Sequence, residues 1–251
     1  MTAPQLSPFF RLVSFAEIDS TNDEAKRRAS EGAAHGTLIW ARAQSAGRGR
    51  RGRGFVSPAG NLYLSILLRP DRPAASAAQL GFAAALALGD AILPLLPRPE
   101  SLRYKWPNDV LIDGRKVSGI LLESQAAGEG RLDWLVVGIG VNVASFPEGV
   151  DYPAISLAAA GARVTVEALL EAVAGGVERW YERWREEGFP PLRQAWLARA
   201  RGLGESIRVR LQGEEARGRF AGLDEDGALL LDEGTARRRI GAGDVFPAFG
   251  S

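Results

Sequence analysis

Apolar and polar positions change period several times along the chain, and each change marks an element. "RLVSFAEI" (11–18) opens as a strand and runs into "STNDEAKRRASEG" (20–32). There Thr21, with Glu24 three residues later, reads as a capping box and Gly32 as a stop, predicting a helix over about 21–31. "GTLIWARAQ" (36–44) and "NLYLSILLRP" (61–70) read as strands, and the Ala/Leu-rich segment 74–93 as a buried helix. Residues 102–124 read as strand, turn, strand, "DG" hairpin turn and strand, broken by Pro107-Asn108-Asp109 and Asp113-Gly114. "RLDWLVVGIGVNV" (131–143) is a near-continuous apolar run of the kind buried on both faces. From Thr165 to Glu187, Leu169, Leu170, Val173, Val177, Trp180, Tyr181 and Trp184 recur at helical spacing, and a shorter helix follows around 191–200. Beyond "RGLGES" the texture shifts to short strands between Gly-rich turns: "IRVRLQG", "EARGRFAGLDEDG", "ALLLDEG" and "ARRRIGAGDVF". This places a boundary near 201, with a larger domain over 1–200 and a small β-barrel over 201–251.

Composition changes this picture little but excludes several chemistries. The apolar share is 46% and the charged share 24%, ordinary for a globular protein, and net charge is +1. A general nucleic-acid coat would carry a broad basic excess, so the arginine cluster of "QSAGRGRRGRGF" (44–55) is local. With no cysteine and a single histidine, His35, neither thiolate chemistry nor a zinc site is expected. The N-terminus has no signal-peptide pattern, and the apolar stretch "LGFAAALALGDAILPLL", broken by Gly89, Asp90 and Pro94, reads as too interrupted for a membrane span. A cytoplasmic enzyme is the default. Basic residues are nearly all arginine; lysine occurs only at 26, 105 and 116, which suggests positions that need a compact ammonium.

The run Gly47–Gly54 holds four arginines and four glycines between two strand-like segments, so it is a loop and not a disordered tail. Glycines let the backbone approach a ligand, and guanidinium forks match phosphate oxygens. Four cations this close repel one another without a counter-anion, so the loop is expected to order on a phosphorylated ligand; a solvated basic turn or an RNA contact is the bland alternative. In "KWPNDV" (105–110), Lys105 could neutralise phosphate and the oxygens of Asn108 and Asp109 suit Mg²⁺, against a plain turn. Lys116 stands just past a tight turn, where it is either held against a carboxylate-derived oxygen or free in solvent. Gly138 and Gly140 leave room against a strand, with Asn142 at its end, or simply reflect close packing. Neither a P-loop nor a Rossmann fingerprint is present.

Taken in order, "DSTN" (19–22), "QSAGRGRRGR" (44–53), "SPAGNLYLS" (57–65), "KWPNDV" (105–110), "GRKVSGILLE" (114–123) and "VVGIGVNV" (136–143) closely resemble the biotin–protein ligases over essentially the whole chain. The resemblance implies an α+β fold: a mixed sheet with flanking helices, related to class II aminoacyl-tRNA synthetases and biotin synthetases, plus a C-terminal SH3-like barrel. It implies activation of biotin by ATP to biotinyl-5′-AMP, with Mg²⁺, and transfer to a lysine of a biotin carboxyl carrier domain. On the matching positions, Ser20, Thr21, Asn22 and Gln44 would bind biotin, Thr21 doing so beside its capping role. Gly47, Arg48, Gly49 and Arg50 would form the ligand-gated loop, and Lys116 would meet the biotin carboxylate, with Gly119, Gly138 and Gly140 lining the channel. Arg50, Arg51, Arg53, Phe55, Lys105, Asn108 and Asn142 would serve ATP, and Asn108 and Asp109 the metal. Arg48, Arg50, Lys105, Asp109 and Lys116 would form the catalytic set.

Two departures stand out. Phe55 occupies the place of a tryptophan common in the family, and about nineteen residues precede "STN", which leaves no room for the helix-turn-helix domain of repressor relatives. The expectation is therefore the monofunctional form, without specific DNA or membrane binding, and with a homodimer possible. A lipoate or octanoate ligase or transferase of the same superfamily is the alternative enzyme, though it would not be expected to show GRGRRGR or KWPND; a nucleic-acid-binding module using the Arg-Gly loop is the other alternative.

Overall fold

The computed structural model describes residues 4–52, 54–150 and 152–248. Its larger part is built on a seven-stranded sheet of order β1-β2-β3-β7-β6-β5-β4. The strands are β1 (Arg11–Phe15), β2 (Thr37–Ala41), β3 (Leu62–Leu68), β4 (Leu102–Lys105), β5 (Asp109–Ile112), β6 (Arg115–Ala126) and β7 (Leu132–Val141). β1 and β2 run parallel and the remaining neighbours antiparallel, which makes the sheet mixed, as expected.

Alternation along the central strands divides their side chains between two faces. Leu62, Leu64, Ile66 and Leu68 of β3 and Leu135, Val137 and Ile139 of β7 join one large core with helices α2 (Gln79–Ile92), α3 (Val166–Glu187) and α4 (Pro190–Leu197). On the other face, Leu67 of β3 and Trp134 and Val136 of β7 pack with Ile39 beneath α1 (Thr21–Ser30), through Ala25 and Ala29. α1 is short and covers only part of that face. The uncovered part is where the site lies.

Three local expectations are corrected. The N-cap of α1 is Ser20, whose hydroxyl accepts from Asp23 N–H, so the capping register falls one residue before the predicted Thr21. The stretch read as too interrupted by Gly89, Asp90 and Pro94 for a membrane span is continuous helix from Gln79 through Ile92, within the helix expected over 74–93, followed by a 3₁₀ turn at Leu93–Leu95. Gly89 is there because a Cβ would stand 1.9 Å from the Tyr104 hydroxyl oxygen. Ala74–Leu95 is thus long and apolar enough to cross a membrane by length and composition, but 72% of its most apolar window is buried in this core. Finally, "ARRRIGAGDVF" forms two strands instead of one.

Those two strands belong to a five-stranded antiparallel, SH3-like sheet of order β11-β10-β9-β8-β12. It comprises β8 (Ser206–Arg210), β9 (Glu215–Leu223), β10 (Leu229–Asp232), β11 (Arg237–Ile240) and β12 (Asp244–Pro247). The turn before β10 docks on the larger part: Gly227 leaves no space for a side chain against Phe82, and its carbonyl accepts from the buried Trp106 indole at 3.1 Å. Trp106 sits inside "KWPNDV", so the same turn faces the cavity described next and anchors the C-terminal sheet.

Candidate active site

β7 turns Trp134, Val136, Gly138 and Gly140 toward the α1 face. The first two are covered by α1, and the two glycines lie where cover ends. The result is a cavity of about 390 Å³, within the range of small-molecule sites. Ser20, Thr21, Asn22 and Gln44 stand at one end; Arg48, Gly49, Arg50, Asn108, Asp109 and Lys116 stand around the rest, with Gly119, Gly138 and Gly140 in the floor. Of the expected site residues that are described, Gly47, Lys105 and Asn142 do not border this cavity. Arg53 and the Arg51 side chain, expected on the nucleotide side, lie outside the described residues.

The α1 end is a web of neutral groups. Gln44 Oε1 accepts from the Thr21 amide at 2.8 Å and the Thr21 hydroxyl at 3.0 Å, while its Nε2 donates to Ser57 Oγ at 2.9 Å. The Ser57 hydroxyl in turn donates to the Phe55 carbonyl at 2.8 Å. The Asn22 amide donates from Nδ2 to Glu123 at 2.8 Å, and its Oδ1 accepts from the fully buried Ser65 hydroxyl at 2.6 Å. A Cβ at Gly138 would lie 2.0 Å from that Oδ1. The space at Gly138, expected to admit a ligand, is therefore filled first by Asn22; the glycine serves the asparagine that serves the cavity.

The other end is charged and assembled from separate elements. The Lys116 ammonium is held 2.7 Å from Asp109 Oδ1 and 4.9 Å from the Tyr152 ring centre. Its backbone is pinned to Pro153 O and Ile155 N, so it is not a solvated hairpin lysine. Arg50 donates to Asn108 Oδ1 at 3.2 Å and to the Gly243 carbonyl at 3.5 Å, joining the Arg-Gly loop to the KWPND turn and to the C-terminal sheet. Arg48 pairs with Asp23 at 2.9 Å. The loop's arginines are thus partly neutralised by the protein itself, which the local sequence did not foretell.

The loop folds back on itself. Phe55 N–H donates to Gly47 O at 2.9 Å, Arg48 and Gly54 pair as a bridge, and Arg50–Gly52 form a 3₁₀ turn. At Gly47 a Cβ would stand 2.4 Å from both Phe55 O and Ser57 Oγ, so only glycine closes this neck. Phe55, expected among the residues that serve ATP, is folded inward: its ring fills the space at Gly140, where a Cβ would be 2.6 Å away, and meets Tyr63 edge-on at 6.3 Å. Behind it lies a smaller cavity of about 20 Å³ bordered by Ser118, Asn142 and Tyr152. Asn142 donates to the Lys116 and Ile155 carbonyls, bracing the strand ends. Lys105 stands 5.2 Å from the centre of the Phe246 ring, outside the main cavity.

The expected metal pair does not form a cation site of its own. Asn108 Oδ1 accepts from Arg50 and its Nδ2 donates to the Ile120 carbonyl at 2.7 Å, while Asp109 is paired with Lys116. Among the described residues no group of three or more His, Asp or Glu side chains converges to hold a metal.

Several residues in the cavity wall, or buried behind it as Ser65 is behind Asn22, escaped the sequence. Ser65 carried a readable signal, as the lone polar residue in "LYLSILL". Tyr63, Ile139, Val150 and Tyr152 did not, and Asp244 comes from the C-terminal sheet. Burial pushes the Tyr63 phenol up to about 12, so it is a neutral wall that donates to Pro58 O at 2.8 Å.

Comparison with known proteins agrees with this geometry. The profile of the "Biotin/lipoate A/B protein ligase family" matches residues 14–142, and that of the "Biotin protein ligase C terminal domain" matches 202–246. A biotin–[acetyl-CoA-carboxylase] ligase of Paracoccus denitrificans is 45% identical over 237 residues, covering 92% of this chain and 98% of that protein. The bifunctional ligase/repressor BirA of Bacillus subtilis is 35% identical, covering 91% of this chain and 71% of that protein. The structure of a biotin protein ligase from Aquifex aeolicus in complex with biotin and ATP superposes with a TM-score of 0.78 at 28% identity, covering 94% of this chain and 97% of that one. The chain belongs to the biotin/lipoate protein ligase family, and within it to the biotin protein ligases.

Proposed function

We propose that this chain activates biotin with ATP and transfers it to a lysine of a biotin carboxyl carrier domain, and that the two ends of the cavity divide the work. One observation carries the assignment: a neutral web at one end of a single cavity and a set of fixed cations at the other. Biotin has that same division, with a neutral ureido ring at one end and a carboxylate at the other. Ser20, Thr21 and Asn22 would meet the ring, with Gln44 and Ser65 holding Thr21 and Asn22 in register. Lys116 would meet the carboxylate and the oxygen that comes to bridge it to phosphorus.

In the first step a biotin carboxylate oxygen attacks the α-phosphorus of ATP, and the bond from that phosphorus to the β-bridging oxygen breaks, releasing pyrophosphate. Anion meets anion, so positioning and charge neutralisation by Arg48, Arg50, Lys105 and Lys116 carry the rate, with no protein nucleophile. Asp109 orients Lys116, and Asn108 orients Arg50. Magnesium enters as part of the substrate MgATP, and no step depends on a metal held by the protein alone. Nucleotide binding requires the Phe55 ring to leave Gly140, which joins the small cavity beside Asn142 to the main one. In the second step the neutral amine of the carrier lysine attacks the acyl carbonyl, AMP leaves, and the amine loses its proton as the amide forms. Until then the Arg-Gly loop shields the adenylate from water.

The test is incubation of the chain with biotin, MgATP and an apo carrier domain, with streptavidin detection. Label on the carrier lysine that disappears without ATP is the expected result. An unlabelled carrier overturns the assignment.

A further inference from the structure

Of the chain's lysines, 116 borders the cavity at its charged side, 105 stands outside it beside Phe246, and Lys26 lies in α1, one turn into the helix. An i,i+3 partner would make it an ordinary helix-surface lysine of little consequence. Its surroundings are different. A single ammonium bridges two carboxylates from different elements, Asp23 of α1 at 2.9 Å and Glu123 of β6 at 2.6 Å, and its side chain is only 27% exposed. Each carboxylate has a second partner. Glu123 accepts from Asn22 Nδ2 at 2.8 Å, which forces the Asn22 Oδ1 toward Ser65 and Gly138. Asp23 accepts from Arg48 Nε at 2.9 Å. Side chains 22, 123, 26, 23 and 48 therefore form one unbroken chain from the floor of the cavity to its loop.

We propose that Lys26 is a positioning residue that couples the amide recognising biotin to the arginine gripping phosphate, through Glu123 on one side and Asp23 on the other. The inference rests on the roles assigned above to Asn22 and Arg48. Charge is balanced along the chain, with two carboxylates against two cations, so removing the lysine leaves two like charges facing each other. Burial alone would lower the Lys26 ammonium, but the hydrogen bonds of Glu123 and Asp23 outweigh it and hold the group above its usual value. Arg48 is held through Nε, so its forked terminal nitrogens can serve a phosphate while Asp23 keeps its hold. A compact ammonium suits the bridge, since it donates to two carboxylates in any direction where a planar guanidinium would not. Biotin bound at Asn22 thereby stiffens the support of the loop before the adenylate forms.

The experiment is a double-mutant cycle on release of preformed biotinyl-5′-AMP, using Lys26→Met, Arg48→Ala and the pair, each checked for a cooperative melt. Lys26→Met is expected to speed release about two- to fivefold, the scale of part-exposed ion pairs. In the pair, the acceleration is expected to fall short of the product of the single effects, because both substitutions break the same chain. A merely structural lysine would give independent, multiplying effects. Multiplication of the two effects, or release from Lys26→Met at the wild-type rate, overturns the proposal. Adenylate formation by the wild type in the same mixtures tests the ligase assignment separately.

Discussion

At the α1 end of the cavity, Thr21, Asn22, Gln44 and Ser65 are neutral, buried or nearly so, and bonded to one another. At the other end, Arg50, Asp109 and Lys116 are charged; Asp109 and Lys116 pair within the β5–β6 hairpin, and Arg50 comes from the distant loop after β2 to meet Asn108 just before β5. The difference teaches how rigidity is obtained in each case. The neutral end is fixed by hydrogen bonds among neighbours that leave donors over, such as the second Asn22 Nδ2 hydrogen and the Ser20 hydroxyl, for a ligand. The charged end is fixed by pairing cations with protein anions and carbonyls that a phosphate can replace or supplement.

The largest effect is expected at the charged end. Lys116→Met removes the ammonium proposed to meet the reacting oxygen, and adenylate formation should fall by about a hundredfold or more, as for loss of a fixed transition-state donor. Single-turnover formation of biotinyl-5′-AMP checks this. Next comes Gly138→Ala, whose added methyl would displace Asn22 Oδ1. Overpacking of this kind costs about 1–3 kcal/mol, so biotin affinity by calorimetry should weaken about ten- to a hundredfold. Ser65→Ala leaves the buried Asn22 Oδ1 short of a donor, at about 1–2 kcal/mol. Its effect should appear in biotin affinity, with the rate at saturating biotin nearly unchanged.

The smallest effect lies outside both ends and serves as a control. Burial lowers the pKa of His35, although Glu182 opposes the shift, and its Nδ1 accepts from the Arg69 amide at 3.0 Å. The unfolded chain then binds the proton more readily, so stability is full above about pH 6.5 and declines as pH falls through that value. Thermal melts between pH 7.5 and 5.5 should show a slight loss that is absent in His35→Gln.

The charged end was legible in the sequence because its residues come in dense motifs. "GRGRRGR", "KWPND" and "RKVSG" each announce a cation beside a turn, and the structure gathers Arg50, Asp109 and Lys116 around one cavity. The strand and helix pattern was legible for the same reason: apolar periodicity is local information. What stayed hidden depends on contacts between distant segments. Nothing near Asp23 foretells Arg48, and nothing near Asp244 foretells a place in the cavity wall. Gly138 was recognised as a gap, but its occupant, Asn22, comes from more than a hundred residues away. The capping register slipped by one residue because Ser20 and Thr21 are both good caps, and the choice falls to Gln44, which engages the Thr21 hydroxyl and leaves Ser20 to cap.

The division of labour between the two ends is tested most directly by measuring biotin affinity and adenylate formation side by side in Asp109→Asn and Ser65→Ala. The account predicts a crossover. Asp109→Asn should keep biotin affinity within about threefold and lose adenylate formation by about a hundredfold, while Ser65→Ala should lose affinity and keep its rate at saturating biotin. Affinity and rate falling together by the same factor in both variants would contradict it.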